Sequence, residues 1–580
     1  MSTPLRALFL ALTIGCATPA PAPQGAKAPV QLTIVATNDL HGWVQPHEAR
    51  LEDGRVLRVG GVARFASYVA RLREENPGGV VLLDAGDLFQ GTLVANLSEG
   101  EVVIAAYNAL GYDAAAIGNH EFDYGPEGPK AVALDPGDDP LGALEARARQ
   151  AHFPLLARNV YYAQTGQRPG FLHDGLAMVE RQGVRIGIVG LLTPLTPQVT
   201  NPVNVQTLRF GPLVEEARSG AAELRARGAQ VLIAVVHAGG CCNDASDPNV
   251  LAGCDPRGEI FELMDGLPQG TFDAVASGHT HTRLGHFVNG APLLQSGAFG
   301  TQFGVMQLAI DPTTHKVLRD QTHVRTGITL CDSFVPGTEE CDPKSPKPGA
   351  LVPASFHGKQ MAADPAIEAI LAPYLARVAE EQRRPLHVTV PETLTRNYGG
   401  EGLLGNALAD ATRQMEKADV ALYNPGGLRS DLPKGELTFG ALYEVFPFDN
   451  TVATLTLTGD EIVRLFEALF SGGHGAPQVS GVRLKIVRCP NRTEVVDISF
   501  SDGRKFDRAA TYKLTTSDFL ALGGDGVGRV LDKVPPERKD LGHRRQLNMR
   551  DALADYLQKK GGKLEAKLDG RLIIDATGCK

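Results

Sequence analysis

Apolar residues occur along this chain in short uninterrupted runs, at 32–36, 80–84, 114–117, 231–236 and 274–276, each followed by a polar or glycine-containing segment. Runs of this kind predict buried β-strands. Helix-like stretches at 62–75, 141–150 and 213–227 lie between them, and the alternation from about residue 30 to 311 predicts a layered α/β unit. Residues 313–358 are rich in Pro, Lys and Asp with little periodicity, which predicts a connecting region. Ile367, Ile370, Leu371, Leu375 and Val378 then recur at helical spacing over 365–383, with Pro373 placed to kink the helix. A second mixed α/β unit follows from about residue 386, with strands at 420–423, 452–457, 482–487 and 511–515 and a helix at 459–469. Gly426-Gly427 and Gly523-Gly524 mark loops where the backbone turns sharply or approaches something closely. The implied division is a targeting segment and tether at 1–28, a first domain at 29–312, a connector and linking helix at 313–384, and a second domain at 385–580.

A length of 580 residues accommodates two substantial cores. The net charge of -9 and the absence of a basic patch exclude a nucleic-acid polymer as a general partner. A small anionic substrate stays compatible, because local metal charge outweighs a mildly acidic surface. Arg6, the apolar run 7–14 and Gly15-Cys16 form a targeting signature too short to span a bilayer. Thr13-Ile14-Gly15-Cys16 resembles a bacterial lipobox, with Thr13 in place of the usual leucine. That resemblance implies export to the periplasm or outer surface with a lipid anchor at Cys16; plain secretion is the alternative. The Pro- and Ala-rich residues 17–27 then read as a tether. Export puts Cys241, Cys242, Cys254, Cys331, Cys341, Cys489 and Cys579 in an oxidising compartment. Local closure suggests Cys331 with Cys341, and Cys254 with either Cys241 or Cys242. Cys489 with Cys579 would tie down the C-terminus and leave one free thiol. No Cys-x-x-Cys pair supports a thiolate metal site.

The segments that close the first-half strands carry the chemistry. They are Asp39-x-His41, Gly86-Asp87, Gly118-Asn119-His120-Glu121, His237 and Gly278-His279-Thr280-His281. Asp39, His41, Asp87, Asn119, His237, His279 and His281 offer carboxylate, amide oxygen and imidazole, a mixture suited to divalent metals that leaves Zn, Mn, Co and Ca open. Loops at strand ends of an α/β sheet converge on one edge, so these residues can meet. A lone Asp-x-His is more often structural; five such segments, each after a strand, are not. His47, His152, His173, His286 and His315 lack that context and receive no role.

The five segments, in this order, resemble the calcineurin-like metallophosphoesterase superfamily. The resemblance implies a four-layer α/β/β/α domain holding two ions, one by Asp39, His41, Asp87 and His281, the other by Asp87, Asn119, His237 and His279, with Asp87 as the bridge. His120 would stabilise charge on the phosphoryl group or leaving oxygen, and Asp123 would orient it.

In the second half, Asn424-Pro425-Gly426-Gly427-Leu428-Arg429, Pro447-Phe448-Asp449-Asn450, and Phe519 with Asp525 in Leu522-Gly523-Gly524-Asp525-Gly526 resemble the C-terminal domain of the 5′-nucleotidase family, which includes UDP-sugar hydrolase/5′-nucleotidases. Two phenylalanines can sandwich a nucleobase, and an arginine fork suits phosphate. The resemblance implies Phe448 and Phe519 on the base, Asp525 on the ribose hydroxyls, Asn424 and Asn450 near the nucleoside, and Arg429 on phosphate or ribose. Arg396 is a second candidate arginine beside a glycine-rich stretch. Asn424-Pro425 departs from the small residue the family often carries there, which bears on fine specificity.

The sequence therefore leads to an exported dimetal hydrolase acting on nucleoside 5′-phosphates, with UDP-sugars and nucleoside di- and triphosphates as further substrates. A 2′,3′-cyclic nucleotide phosphodiesterase with 3′-nucleotidase activity is the enzymatic rival. A non-catalytic surface nucleotide-binding or adhesion protein is the rival of another class. The oligomeric state is not legible in the chain.

Overall fold

The computed structural model describes residues 28–50, 55–339, 341, 350–472, 475–489, 492–543 and 548–575. The targeting segment and Cys16 lie outside these residues. Among those described, no helix is long and apolar enough to cross a membrane.

Two six-stranded sheets form the first half. In the first, β1 (Val30–Thr37), β2 (Val80–Asp84), β3 (Ala114–Ala116) and β4 (Leu155–Leu156) run parallel side by side. In the second, β6 (Val184–Leu192), β7 (Val231–His237) and β8 (Ala274–Ser277) run parallel, with β5 (Leu176–Arg181) antiparallel at one edge. The strands β9 (Arg283–Val288) and β10 (Ala291–Ser296) complete that sheet, and β11 (Gln302–Ile310) returns to pair antiparallel with β1.

Alternate residues of each strand face opposite sides, and both sides are covered, so the strands read as continuous apolar runs. Leu32, Ile34, Val81 and Leu83 meet Ile186, Ile188, Val231 and Ile233 between the sheets. On the outer side of the first sheet, Val35 and Leu82 pack with Phe65 and Val69 of the helix Val62–Glu75 and with Ile104 and Tyr107 of the helix Glu101–Leu110. On the far side of the second, Leu232 and Ala234 pack with Leu224, Ile260 and Met264 from the helices Leu213–Ala226 and Glu259–Asp265. The result is the α/β/β/α order the resemblance implies.

One segment departs from the sequence reading. Residues His323–Thr329, placed in a connecting region, form strand β12 at the edge of the first sheet, antiparallel to β11. Only Ile328 is buried along it, so the alternation that marks a half-buried strand is too faint to stand out.

The linking helix Pro365–Arg383 starts at Asp364, whose carboxylate accepts from Ala366 N (2.8 Å) and Ile367 N (3.3 Å), with Pro365 in the first turn. It continues as one helix across Pro373. Its buried Ile367, Leu371 and Val378 join a cluster that also holds Ile104 of the first half and Leu386, Leu408 and Leu442 of the second. The second half is built on a five-stranded sheet in the order Gln478–Ser480, Val420–Tyr423, Thr511–Ser517, Val452–Thr458, Lys539–Asp540. Its helix Gly459–Ser471 is opened by a capping box between Thr458 and Glu461.

Cys242 pairs with Cys254 and Cys331 with Cys341, while Cys241 is a free, exposed thiol. Cys489 is disulfide-bonded, and its expected partner Cys579 lies outside the described residues.

Candidate active site

The parallel strands β1, β2, β3, β7 and β8 all end at one edge, and every candidate ligand follows one of those ends or, for His237, is its last residue. Asp39 (φ 51°), His41 (50°), Asp87 (57°), His279 (80°) and His281 (56°) adopt the left-handed backbone region. That conformation costs a non-glycine residue about 1–3 kcal/mol and gathers at functional sites. It turns each side chain off its strand and toward the common centre.

Two clusters result. Asp39, His41 and His281 converge in one, and Asp87, His237 and His279 in the other. His281 Nε2 lies 3.3 Å from Asp39 Oδ1 and 3.0 Å from His41 Nε2. His237 Nε2 lies 3.1 Å from Asp87 Oδ2 and 3.2 Å from Asn119 Oδ1. Asp87 Oδ2 is also 3.7 Å from His41 Nε2, so this carboxylate stands between the clusters. The structure thus brings the seven side chains to one centre, with Asp39, His41 and His281 in one cluster, Asp87, His237 and His279 in the other, and Asn119 beside His237.

The donor set fits cations. His41 Nδ1 lies 2.9 Å from Gln90 O and His237 Nδ1 lies 2.8 Å from Ala85 O. Each carbonyl is only an acceptor, so Nδ1 carries a proton and Nε2 is the nitrogen that faces inward. Burial together with the nearby Arg429 cation holds His41 well below the ordinary histidine range. Burial, with His237 beside it, lowers His279 to about 3. Burial opposes ionisation of Asp87, but His237 and His120 overcome it and hold the carboxylate well below its usual range. His237 is also drawn down by burial, yet Asp87 raises it to about 10, so positive charge is favoured between them. A divalent cation supplies that charge without a proton.

His120 and Asp123 form a dyad, His120 Nδ1 to Asp123 Oδ2 at 2.5 Å, and His120 N donates to Asp87 Oδ1 at 3.0 Å. Burial pulls the His120 imidazole down, but Asp123 and Asp87 prevail and leave it above the ordinary range.

The second half reaches this centre. Arg429 Nη2 lies 2.9 Å from His41 Nε2, with its guanidinium between the rings of Phe299 (6.0 Å) and Phe448 (5.8 Å). The buried Arg429 Nε has no acceptor among the described residues, leaving a donor suited to an anion. The Phe448 ring stands 5.5 Å from that of His120. Asp525, at φ 52°, is buried and hydrogen-bonded to the Asn424 side chain. Phe519 is buried against Gly524, where an added Cβ would lie 2.4 Å from the ring. Arg396 is exposed and committed in part to Asp431, its Nε at 3.0 Å, with Nη1 donating to Arg429 O. Asn450 is fixed through its backbone, its carbonyl accepting from Met549 N at 2.7 Å.

Several participants escaped the sequence reading. Asn96 Nδ2 donates to Pro447 O at 2.6 Å, tying the loop that carries Phe448 to the first half. Phe299 rests against His41 (5.5 Å) and His281 (5.1 Å) from a left-handed position (φ 62°). His47, given no role, stacks on Trp43 at 3.6 Å and lies 3.0 Å from Phe299 O at the rim. Glu121 stood inside a recognised segment; its bond to Gly118 N is local, but its other partners, the backbone N–H groups of Asp87, Leu88 and Phe89, are distant in sequence and no spacing announces them.

Residues 32–283 match the family model for calcineurin-like phosphoesterases, and residues 384–533 match that for the 5′-nucleotidase C-terminal domain. The chain belongs to the 5′-nucleotidase family. A 5′-nucleotidase of Vibrio cholerae serotype O1 is 26% identical over 557 residues, 91% of each chain. The endonuclease YhcR of Bacillus subtilis is 25% identical over 495 residues, 85% of this chain, which spans only 37% of that relative's length. The crystal structure of a 5′-nucleotidase precursor from Thermus thermophilus superposes with a TM-score of 0.73 at 26% identity, covering 95% of this chain and all of that one. The family assignment makes this chain a metallophosphoesterase-type hydrolase with candidate His/Asp metal sites.

Proposed function

We propose that this 5′-nucleotidase family member is an exported dimetal nucleotidase that hydrolyses nucleoside 5′-phosphates to nucleoside and phosphate. The observation that carries the reading is the meeting of Arg429 and Phe448 with His41 and His120 at one centre. Asp39, His41, Asp87 and His281 would hold one ion, and Asp87, Asn119, His237 and His279 the other. When bound, the two ions supply Lewis acidity toward phosphoryl oxygens and an acidified water.

The chain's own groups do the rest. Arg429 draws in the phosphoryl group through charge and its unpaired Nε. His120, with Nδ1 held by Asp123, turns Nε2 to the charge that develops on the phosphoryl or leaving oxygen. Phe448 and Phe519 stack on the base, and Asp525 accepts from the ribose hydroxyls. Asn424 holds Asp525, Arg396 supports Arg429 from behind, and Asn450 belongs to the Phe448 loop. The Cys242–Cys254 and Cys331–Cys341 disulfides are consistent with an oxidising, exported setting, where a lipid anchor at Cys16 would keep the enzyme at a membrane surface.

The test is phosphate release by metal-supplemented enzyme from 5′-AMP, 3′-AMP, 2′,3′-cyclic AMP and UDP-glucose. Turnover of 5′-AMP is expected to exceed that of the 3′ and cyclic substrates. Release from the latter two alone would transfer the assignment to the cyclic phosphodiesterase class, and no turnover at all would favour a binding protein.

Asp525 gives a pH signature. Burial, opposed by the Asn424 hydrogen bond, pushes its carboxyl up to about 7. Below that pH it is protonated and loses acceptor capacity; above it the carboxylate accepts from both ribose hydroxyls. The ratio of wild-type to Asp525→Asn kcat/KM for 5′-AMP is expected to rise about tenfold from pH 6 to pH 8, as the ionised fraction does. A flat ratio would remove Asp525 from the substrate site.

A further inference from the structure

The short stretch from Thr193 to Thr200 has no place in the proposed chemistry, yet it touches three of the residues that do. Thr193 N donates to the carbonyl of His237 at 2.9 Å. The carbonyl of Val199 accepts from Asn119 Nδ2 at 3.0 Å, which aims the amide oxygen of Asn119 at His237. Thr200 Oγ1 donates to Asp123 Oδ1 at 2.6 Å, while the other oxygen of that carboxylate faces His120 Nδ1 at 2.5 Å. The stretch is itself fixed: Thr193 Oγ1 donates its one proton to the Glu259 carboxylate, lying 2.9 Å from each oxygen, and Thr196 Oγ1 donates to Thr193 O at 2.7 Å. Thr200 is 2% exposed, so no bulk water replaces its hydroxyl.

From this geometry we infer that Thr200 is a positioning residue, the third member of a Thr200–Asp123–His120 chain that fixes the imidazole presented to substrate. A hydroxyl has one proton, and a carboxylate can only accept, so the direction of the first bond is determined. With Oδ1 bound to Thr200, the Asp123 carboxylate cannot rotate away from His120. With Nδ1 bound to Asp123, the His120 ring keeps Nε2 toward the clusters. Partners that orient metal-ligating histidines typically lower activity about 10–100-fold when removed, and the lower end of that range is the expectation for Thr200, which acts on His120 through Asp123. Thr200 does not touch the reacting atoms, so its loss should act on turnover and leave substrate affinity alone. The inference rests on the reading that His120 serves the reaction.

The experiment measures kcat and KM for 5′-AMP, with metal content, in Thr200→Val, Thr200→Ser, His120→Ala, Asp123→Asn and the Thr200→Val/Asp123→Asn double variant. Valine keeps the volume and the branched Cβ while removing the hydroxyl. Thr200→Val is expected to lower kcat about tenfold with KM within about twofold and unchanged metal content, and Thr200→Ser to restore kcat to within about threefold. In the Asp123→Asn background, Thr200→Val should change kcat by less than about twofold, because the partner it acts through is gone. Additive losses, a loss that serine does not rescue, or a loss that follows metal content would each overturn the inference. If His120→Ala leaves kcat unchanged, the reading of His120 itself fails. If His120→Ala depresses kcat while Thr200→Val does not, only the inference about Thr200 fails.

Discussion

Asp87→Ala is expected to lower kcat/KM for 5′-AMP by about 10³-fold or more and to strip metal from both clusters. In the proposed arrangement Asp87 is the ligand shared by both ions. One oxygen of Asp87 stands 3.1 Å from His237 Nε2 and 3.7 Å from His41 Nε2, and the other receives the His120 backbone N–H at 3.0 Å. Alanine removes the negative charge that the proposed arrangement shares between two ions, and it removes the acceptor of the His120 backbone N–H. Asp87→Asn separates these effects, because the amide keeps an oxygen for His120 N while losing the charge. Metal content after dialysis should fall in both variants, whereas thermal unfolding of the metal-free Asn variant should stay near that of the parent. Stoichiometry is the decisive readout. If Asp87→Ala still binds two ions with parental affinity, Asp87 does not bridge them, and the grouping of ligands drawn from the sequence is wrong.

The convergence of these residues on one edge is legible in the chain for a physical reason. Parallel strands buried on both faces read as unbroken apolar runs, and their carboxyl ends are where an α/β sheet gathers functional groups. Asp39, Asp87, Asn119, His237 and His281 can therefore be assigned to one edge from the sequence alone. What the sequence withholds depends on contacts across long separations. The left-handed backbone of Asp39, His41 and Asp87 leaves no compositional trace, since these positions are not glycine. Thr200 sits 77 positions from Asp123 and is an ordinary hydroxyl until the fold brings the two together. Phe299 and Asn96 belong to the same class: their roles lie in packing against residues of other segments. Strand His323–Thr329 escapes for the opposite reason, its signal being local but weak at an exposed edge.

Glu121 is the other residue on which the site depends, and its replacement should act first on the fold. Its Oε2 accepts from Asp87 N at 2.9 Å and Gly118 N at 2.5 Å, and its Oε1 from Leu88 N at 2.7 Å and Phe89 N at 3.2 Å. One carboxylate, 1% exposed, thus satisfies four backbone donors from two loops, one bearing Asp87 and the other Asn119 and His120. Glu121→Ala would leave those donors buried and unpaired, at about 1–3 kcal/mol each before relaxation. Even half of that total is a large fraction of the roughly 5–15 kcal/mol that holds a domain folded. The metal-free Ala variant is therefore expected to unfold at least about 5 °C lower than the parent, with phosphate release lost when both proteins are assayed with added metal. Working without metal isolates the hydrogen bonds from ion binding, since Glu121 is not among the candidate ligands. A metal-free Glu121→Ala protein that unfolds within about 1 °C of the parent would mean that water or a shifted loop replaces the carboxylate, and the position of Asp87 would then require another support.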